Sequence, residues 1–485
     1  METQEDDTTN TELDDFFIIF AHAAWWHLEK WIEAGELSVM PYLRSIFYEQ
    51  GGYQVQFDHL KEFGQLLESH LPDLLSMAKA QLCVKKHLEA GIWPISKNET
   101  DEEIYRQAMV ALIIPLAESC QPFKPWPFVP PTDEQLLEAY HRSRAGWGDA
   151  ASRFTITFPL LNFSSDLEQT EPLGQHLSLA PLPSDDKTFL WNEDAKLFSL
   201  SPPPMDVTTF SLLQWKLVGT FSAPKKADAS DMSATRQEAL NELDDILSAM
   251  RLLKGGNVGA PAIYQKRLEP VFWEGTRMCH PLTQTRSFPP TLAPYEVRES
   301  DIAPLRDLVN TLQQVRLAQP SGSLSYGDLS IGLRRFNQSY ERCILEDQLV
   351  DLTIVLESTL LADRAEEMTY RLAIRGAILL ADAETPWNPQ KSRDLLTTMY
   401  DVRSRIVHDG LSLFDKEVLK KIRKLGMQPQ DFLQQCEQIV RDVLKLYLPH
   451  VAKGRSIKDI NKDLEARITD ALGAQMSLTV VSQQS

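Results

Sequence analysis

The last third of the chain shows helical spacing of its apolar residues and little else, and this pattern constrains the fold more than any other feature. From residue 327 onward, apolar side chains recur every three or four positions, without the two-residue alternation of a half-buried strand. The spacing predicts helices over about 327–361, 366–382, 391–409, 415–425, 429–448 and 456–472. We therefore expect an all-helical bundle over 327–485.

The first two thirds of the chain contain two kinds of sequence pattern, one typical of helices and one typical of strands. Helical spacing predicts helices over about 14–34, 57–89, 101–119, 133–143, 234–253 and 301–318. Runs of β-branched and aromatic residues predict a small sheet from 154–163, 188–200 and 208–221. A proline-rich segment over 122–131 and a Pro-Ser-Gly-Ser turn at 320–323 separate these regions. The predicted fold class is α+β, mainly α, with an N-terminal helical region (1–130), an α+β region (131–320) and the bundle (327–485).

The charge of the chain limits its partners. The formal net charge is −19, and residues 1–326 carry almost all of it, whereas 327–485 is nearly neutral. Because phosphate binding depends on clustered lysine and arginine, this excludes a protein that grips nucleic acid with its whole surface. The sequence contains no apolar run long enough to span a membrane, and its N-terminus is acidic, unlike a secretory signal. We expect a cytoplasmic protein without membrane contact.

One carboxylate falls on an apolar stripe of the predicted helix 327–361. Asp347 shares that stripe with residues such as Tyr340 and Ile354, and an unpaired buried charge is costly. Arg371 or Arg375 on the next helix offers a partner. The pair has two interpretations, a structural ion pair that holds the bundle together or the wall of a site.

The predicted helix 391–409 ends in a dense group of polar residues. Its buried stripe is expected to contain Leu395, Met399, Val402 and Ile406. Arg403 borders this stripe, and His408 lies on the opposite flank. Ser404 lies one turn before His408, where its hydroxyl could orient the imidazole. Gly410 is a helix stop just past the histidine.

The order of motifs in the bundle resembles one family. ERCILEDQLVDLTIVLESTLL (341–361) is followed by EEMTYRLAIRGAILLA (366–381) and then by MYDVRSRIVHDG (399–410). This succession resembles the Apea-like branch of the HEPN (higher eukaryotes and prokaryotes nucleotide-binding) family over about 327–450. The resemblance implies a HEPN helical bundle that pairs two-fold as a homodimer. It also implies, for many members, a metal-independent endoribonuclease whose catalytic pair corresponds here to Arg403 and His408.

The residue types suit that chemistry. Histidine as a residue type exchanges protons near neutral pH, and arginine offers a fork of donors to phosphate oxygens. Ser404, Tyr400 and Asp347 are the candidate supporting residues. The net-basic helix predicted near 415–425 is the candidate RNA track, unless it is only a solvated face, and its cations are Lys416, Lys420, Lys421, Arg423 and Lys424.

Motifs for other chemistry are missing from the sequence. The five cysteines lack CxxC spacing, and HExxH, Walker and GxSxG motifs do not occur. We therefore expect no metal and no cofactor. The HEPN resemblance implies an RNA-cutting effector in antiviral defence or a toxin, and we expect its N-terminal region to sense a protein or phage-derived trigger.

Two alternatives remain at the level of the sequence. In the first, the bundle is a non-catalytic dimerisation or nucleotide- and RNA-binding module, with Arg403 and His408 as a polar cluster that caps the helix. In the second, the chain is a scaffold that recruits a partner through the aromatic helix 14–34 and its Trp25.

Overall fold

The structure is a computed structural model, and its elements lie within fourteen stretches of the chain. It describes residues 3–33, 42–47, 53–58, 71–90, 112, 131–144, 151–187, 212–224, 229–267, 277–281, 294–318, 329–362, 367–382 and 387–469. The predicted helix over 101–119, apart from residue 112, and the predicted strand over 188–200 lie outside the described residues.

Helices dominate the described part of residues 1–150. They are α1 (Thr3–Glu33), α2 (Leu71–Ser76), α3 (Ala78–Glu89) and α4 (Asp133–Arg144). Helix α1 packs against α3 and α4, and the rings of Phe17 and Tyr140 stack with centroids 4.3 Å apart. The helix predicted over 57–89 is wrong at residues 57–58, because β1 (Tyr42–Phe47) and β2 (Tyr53–Asp58) form an antiparallel hairpin, and its residues 59–70 lie outside the described residues. The alternation of Tyr53, Val55 and Phe57 is the signal that points to β2.

The predicted small sheet is confirmed. Its six strands are all antiparallel, in the order β5 (Glu171–Pro172), β6 (Leu177–Pro181), β7 (Trp215–Pro224), β3 (Ala151–Pro159), β8 (Ala262–Arg267) and β9 (Arg277–Pro281). In the central pair, Phe154 lies opposite Phe221 and Phe158 lies opposite Leu217, and all four are buried. Two short strands, β4 (Phe163–Ser165) and β10 (Tyr295–Val297), pair in parallel beside this sheet.

Two long helices cover the sheet and connect it to the bundle. They are α5 (Ala229–Leu253) and α6 (Glu299–Ala318). The buried carboxylate of Glu242 on α5 accepts hydrogen bonds of 2.9 Å from the backbone amides of His176 and Leu177 at the start of β6. Because the amides satisfy this carboxylate, it can be buried where α5 meets the sheet.

The C-terminal region is all-helical where the structure describes it. Its helices are α7 (Leu329–Ser339), α8 (Leu345–Leu360), α9 (Met368–Asp382), α10 (Pro389–Asp409), α11 (Lys416–Lys424), α12 (Pro429–Ala452) and α13 (457–469). The predicted fold class, α+β and mainly α with a small sheet before an all-helical region, is confirmed. In the described part of the chain, no helix has both the length and the hydropathy that crossing a membrane demands.

The prediction of a single helix over 327–361 is wrong, because the helix is interrupted between Ser339 and Leu345. Tertiary contacts hold this break. The hydroxyl of Tyr340 donates a 2.7 Å hydrogen bond to Glu437 on α12, and the guanidinium of Arg251 lies 5.2 Å from the centre of its ring. Neither glycine nor proline occurs at the break, so its cause is the packing of Tyr340 rather than a local stop signal.

The sheet and the bundle share one continuous core. Its members extend from Ile156 in β3 through Leu247 in α5 to Val355 in α8 and Val443 in α12. The side chain of Arg441 on α12 crosses to α5, where its Nε donates a 2.8 Å hydrogen bond to the backbone carbonyl of Arg251. The bundle is therefore packed directly on the α5 side of the sheet.

Candidate functional site

Local sequence signals fix both ends of α10, the helix that carries Arg403 and His408. At its start, the side chain of Asn388 accepts hydrogen bonds from two backbone amides of the first turn, and Pro389 occupies the first helical position. At its end, Gly410 adopts a left-handed conformation with φ 67°, and its amide donates to the carbonyl of Arg405. Both features are strong helix boundaries, and they place His408 in the last turn.

One side of α10 faces the core, and the other carries a strip of partly exposed residues. Leu395, Met399 and Val402 are buried, as predicted. We call Arg403, Ser404, Val407 and His408 the outer strip, in which Arg403 and Ser404 are partly buried and Val407 and His408 are exposed. Helix geometry separates Arg403 from His408 by about 140° around the axis and about 7.5 Å along it. Ser404 and Val407 lie between them.

Arg403 is held from one side only. Its guanidinium is 20% exposed and lies 3.6 Å from a carboxylate oxygen of Glu357 on α8. Its Nε is buried and has no hydrogen-bond partner among the described residues. Burial raises the pKa of Glu357 above its ordinary value, although the charge of Arg403 opposes this shift. Because the Arg403 side chain is partly exposed and its only ion pair among the described residues is the one with Glu357, its terminal nitrogens can still donate to a further acceptor.

The predicted supporting residues of α10 behave differently from one another. Ser404 and His408 make no hydrogen bond to each other, and neither side chain has a partner among the described residues. Tyr400 is buried, and its hydroxyl lies 3.6 Å from the sulfur of Met368. Tyr400 is thus a packing aromatic in this structure, and His408 remains open to a ligand.

The prediction that Asp347 is a buried carboxylate is wrong. The break before Leu345 places Asp347 in the exposed first turn of α8, where a negative charge is favoured by the helix dipole. The buried carboxylate is Asp351, one turn later, and it accepts hydrogen bonds from Arg335 at 2.9 Å and Arg342 at 2.6 Å. The role of Asp347 as a supporting residue beside Arg403 and His408 stays a prediction.

The two arginines expected to pair with Asp347 bind another carboxylate. Arg371 and the fully buried Arg375 both donate to one oxygen of Glu465 on α13, and the shortest nitrogen–oxygen distance is 2.7 Å for each arginine. Arg375 also donates to the backbone carbonyl of Leu360 at 2.6 Å. This cluster attaches α13 to the bundle and lies apart from Arg403.

The predicted basic helix exists as α11, and its cations divide into two groups. Lys421 forms an ion pair with Asp401 on α10, beside a second pair of 2.6 Å between Arg405 and Glu417. These pairs turn Lys421 toward α10, and its role in an RNA track stays a prediction. The exposed cations, which we call the basic face, are Lys416, Lys420, Arg423 and Lys424.

His408 lies on the side of α10 that faces α11. Asp401, Arg405 and His408 are spaced by four and three residues, so they share one face of the helix. Since the first two residues contact Lys421 and Glu417, His408 lies on the side of α10 that packs against α11, whereas Arg403 leans toward α8. The arrangement can place a phosphate chain along α11 with its end at the outer strip.

Two residues that contact the candidate site were not predicted from the sequence. Glu357 contacts Arg403, but its position in the sequence of α8 gives no spacing signal for that role. Glu346 on α8 holds the α10–α11 connection by accepting from the hydroxyl of Ser412 at 2.7 Å and the amide of Leu413 at 2.9 Å. Both depend on how α8 crosses α10, which the sequence pattern does not specify.

The aromatic helix α1 presents a different residue from the one predicted. Trp25 is buried, whereas Trp26 is 54% exposed. His22 contacts Asp133 at 2.7 Å, and Trp26, His22 and Lys79 line an open depression at the start of α3. If α1 recruits a partner, Trp26 rather than Trp25 is the residue that can touch it.

Comparison with known proteins adds no identification to this geometry. No protein-family model, no curated protein and no solved structure matches the chain.

Proposed function

We propose that the C-terminal bundle is a HEPN-type, metal-independent endoribonuclease and that Arg403 and His408 are its catalytic residues. The observation that supports this most is the state of the two side chains. His408 is exposed without a partner among the described residues, and Arg403 is partly exposed, with the 3.6 Å contact to Glu357 as its only ion pair among them. The exposed basic face of α11 lies beside them in an otherwise acidic chain.

The proposed reaction needs only these groups. The 2′-hydroxyl of a ribose attacks the adjacent phosphorus, an imidazole takes its proton, and the 5′-oxygen leaves with a proton from a second imidazole. The products carry a 2′,3′-cyclic phosphate and a 5′-hydroxyl. Arg403 stabilises the negative charge of the pentacoordinate phosphorus. In a homodimer, the His408 of each protomer supplies one of the two proton transfers.

The proposed biological role comes from the family resemblance. The chain acts in the cytoplasm as a defence or toxin-like effector, and its N-terminal region responds to a protein or phage-derived trigger. The net acidity of residues 1–326 repels RNA and restrains cleavage until the trigger binds.

The test is cleavage of RNA in the presence of EDTA. We expect the full chain to cut and to leave 2′,3′-cyclic phosphate ends, while His408→Ala and Arg403→Ala lose at least about a hundredfold in rate. His450→Ala is the matched control, since this exposed histidine lies at the end of α12 in the same bundle. Equal cleavage by the His408→Ala protein, or loss only with His450→Ala, would refute the proposal.

The ion pair between Arg403 and Glu357 favours a second candidate, a bundle that binds RNA or nucleotides without cutting them. Glu357 neutralises part of the charge that the reaction needs, and Arg403 and His408 point in different directions from α10. A chain that binds RNA through Arg403 but never produces cyclic phosphate ends would establish this alternative.

A further inference from the structure

The connection between α10 and α11 exposes one aromatic ring. Within residues 411–415, Leu413 is buried and anchors the connection in the core, whereas the next residue, Phe414, is 53% exposed. A large apolar side chain between two polar helix ends loses the hydrophobic stabilisation that burial would give it. The exposed ring of Phe414 is therefore available to a ligand.

The connection is held in place without a ligand. Glu346 accepts from Ser412 and Leu413, and the amide of Ser412 donates to Asp415 at 2.6 Å. The hydroxyl of Ser412 also accepts from the amide of Phe414 at 3.2 Å. A ring on such a fixed backbone loses little conformational entropy when it binds, which favours its use as a contact surface.

Acidic and basic residues both lie near Phe414, with the exposed carboxylate of Asp415 next to it in the chain and a row of cations after that. Phe414 lies two residues before Lys416, where the basic face begins, and four residues after Gly410, where the helix of His408 ends. The four residues of the basic face fall within about 100° of the α11 circumference, while Val418 and Ile422 point into the core. One exposed ring next to a row of cations matches a polyanion that carries aromatic groups.

We propose that Phe414 and the basic face bind single-stranded RNA, with one unpaired base stacked on the Phe414 ring and the backbone following α11. Stacking on a protein ring requires an unpaired base, whereas a duplex hides its base faces. The inference deepens the proposed function and rests on it, because it names the substrate class of that same bundle. It assigns to Phe414 a binding role and no part in proton transfer.

The experiment measures binding by the full chain carrying His408→Ala, so that cleavage does not interfere. The probes are a single-stranded RNA oligonucleotide with 2-aminopurine and the same sequence in a duplex. We expect tighter binding of the single strand and quenching of 2-aminopurine. We also expect about tenfold weaker binding when Phe414→Ala is added, and near-normal binding with Phe414→Trp. Trp26→Ala is the matched control, since it removes an exposed aromatic residue outside the bundle and should leave the affinity unchanged.

Three outcomes would overturn the inference. They are equal affinity for single strand and duplex, unchanged affinity in the Phe414→Ala protein, and loss of a dimer by that variant at unchanged RNA affinity. The last result would assign Phe414 to a protein interface. Cleavage by the chain with native His408 is scored separately. If RNA binding depends on Phe414 but the chain does not cleave RNA, only the nuclease proposal is refuted. If Phe414→Ala changes neither cleavage nor RNA binding, only this inference is refuted.

Discussion

Arg375 is completely buried, and its Nε and one terminal nitrogen both donate to the same carboxylate oxygen of Glu465, at 2.9 Å and 2.7 Å. Arg371 donates to that oxygen as well. One partly exposed carboxylate on α13 therefore balances two cations of α9. The bundle therefore depends on α13 for this negative charge. The sequence motifs from which the bundle was predicted lie before α13.

Glu465→Ala should lower the free energy of unfolding by about 3 kcal/mol, because it removes the carboxylate oxygen that accepts two hydrogen bonds from the buried guanidinium of Arg375. Urea unfolding of the full chain, followed by the loss of helical signal, measures the change. Asp463→Ala is the control on the same helix, since it breaks only an ion pair with Arg455 that is largely exposed, and should cost less than about 1 kcal/mol. Equal losses for both variants would contradict the prediction.

His87 should make the stability of the N-terminal helices fall in acid. Its Nδ1 donates to the carbonyl of Cys83 at 2.8 Å, and its Nε2 accepts from the hydroxyl of Tyr140 at 2.6 Å. Burial lowers the pKa of His87 below its ordinary value, assisted by the charge of Arg144, although the hydrogen bond to the Cys83 carbonyl and the charge of Asp14 oppose the shift. The folded protein therefore holds a neutral imidazole.

Because the unfolded chain takes up a proton at His87 more readily than the folded chain, the stability is fully present above the ordinary histidine pKa and is lost as the pH falls below it. A His87→Gln protein should be less stable than the native chain by about 1–3 kcal/mol near pH 7.5, because it loses buried hydrogen bonds. The difference should shrink near pH 5, by up to about 1.4 kcal/mol per pH unit. Thermal unfolding of both proteins at the two pH values measures it, and a constant difference would exclude the effect.

Gly410→Ala should weaken both the fold and the proposed cleavage. The left-handed φ of 67° at this position costs about 1 kcal/mol for a residue with a Cβ, and no atom lies within 4 Å of that Cβ to add a clash. The strain falls on the turn that carries His408. Gly454→Ala is the matched control, with φ 80° and equally open space after α12. We expect similar losses in melting temperature, but slower RNA cleavage for Gly410→Ala alone, and equal cleavage rates would refute the link.

The sequence was sufficient for features with local causes. Helix α10 was predicted to within two residues at its start because its core stripe is regular, and Gly410 supplies its stop signal. The break before Leu345 was not predictable, since it depends on Tyr340 meeting Glu437 and Arg251 from distant elements. That one break explains the wrong placement of Asp347, because a continuous helix would carry its apolar stripe across that position.

The same limit applies to the candidate site. The sequence identified the residue types on α10 and α11, yet the partners of Arg403 and Lys421 depend on how neighbouring helices cross. Spacing along one helix fixes which residues share a face, whereas the facing helix decides which charges are neutralised. The structure was therefore needed to separate the basic face from Lys421.

This separation predicts a difference between two adjacent lysines. Lys420 belongs to the basic face, whereas the charge of Lys421 is already balanced by Asp401. Each cation that neutralises a phosphate of single-stranded RNA contributes about 0.7 to the slope of log affinity against log salt concentration. In the His408→Ala chain, Lys420→Ala should reduce the slope by about that amount, and Lys421→Ala should leave it nearly unchanged. Titrations of single-stranded RNA at several salt concentrations measure both slopes, with Lys458→Ala on α13 as an exposed control outside α11. A larger change for Lys421→Ala than for Lys420→Ala would mean that the RNA displaces the ion pair with Asp401 and that the basic face is not the track.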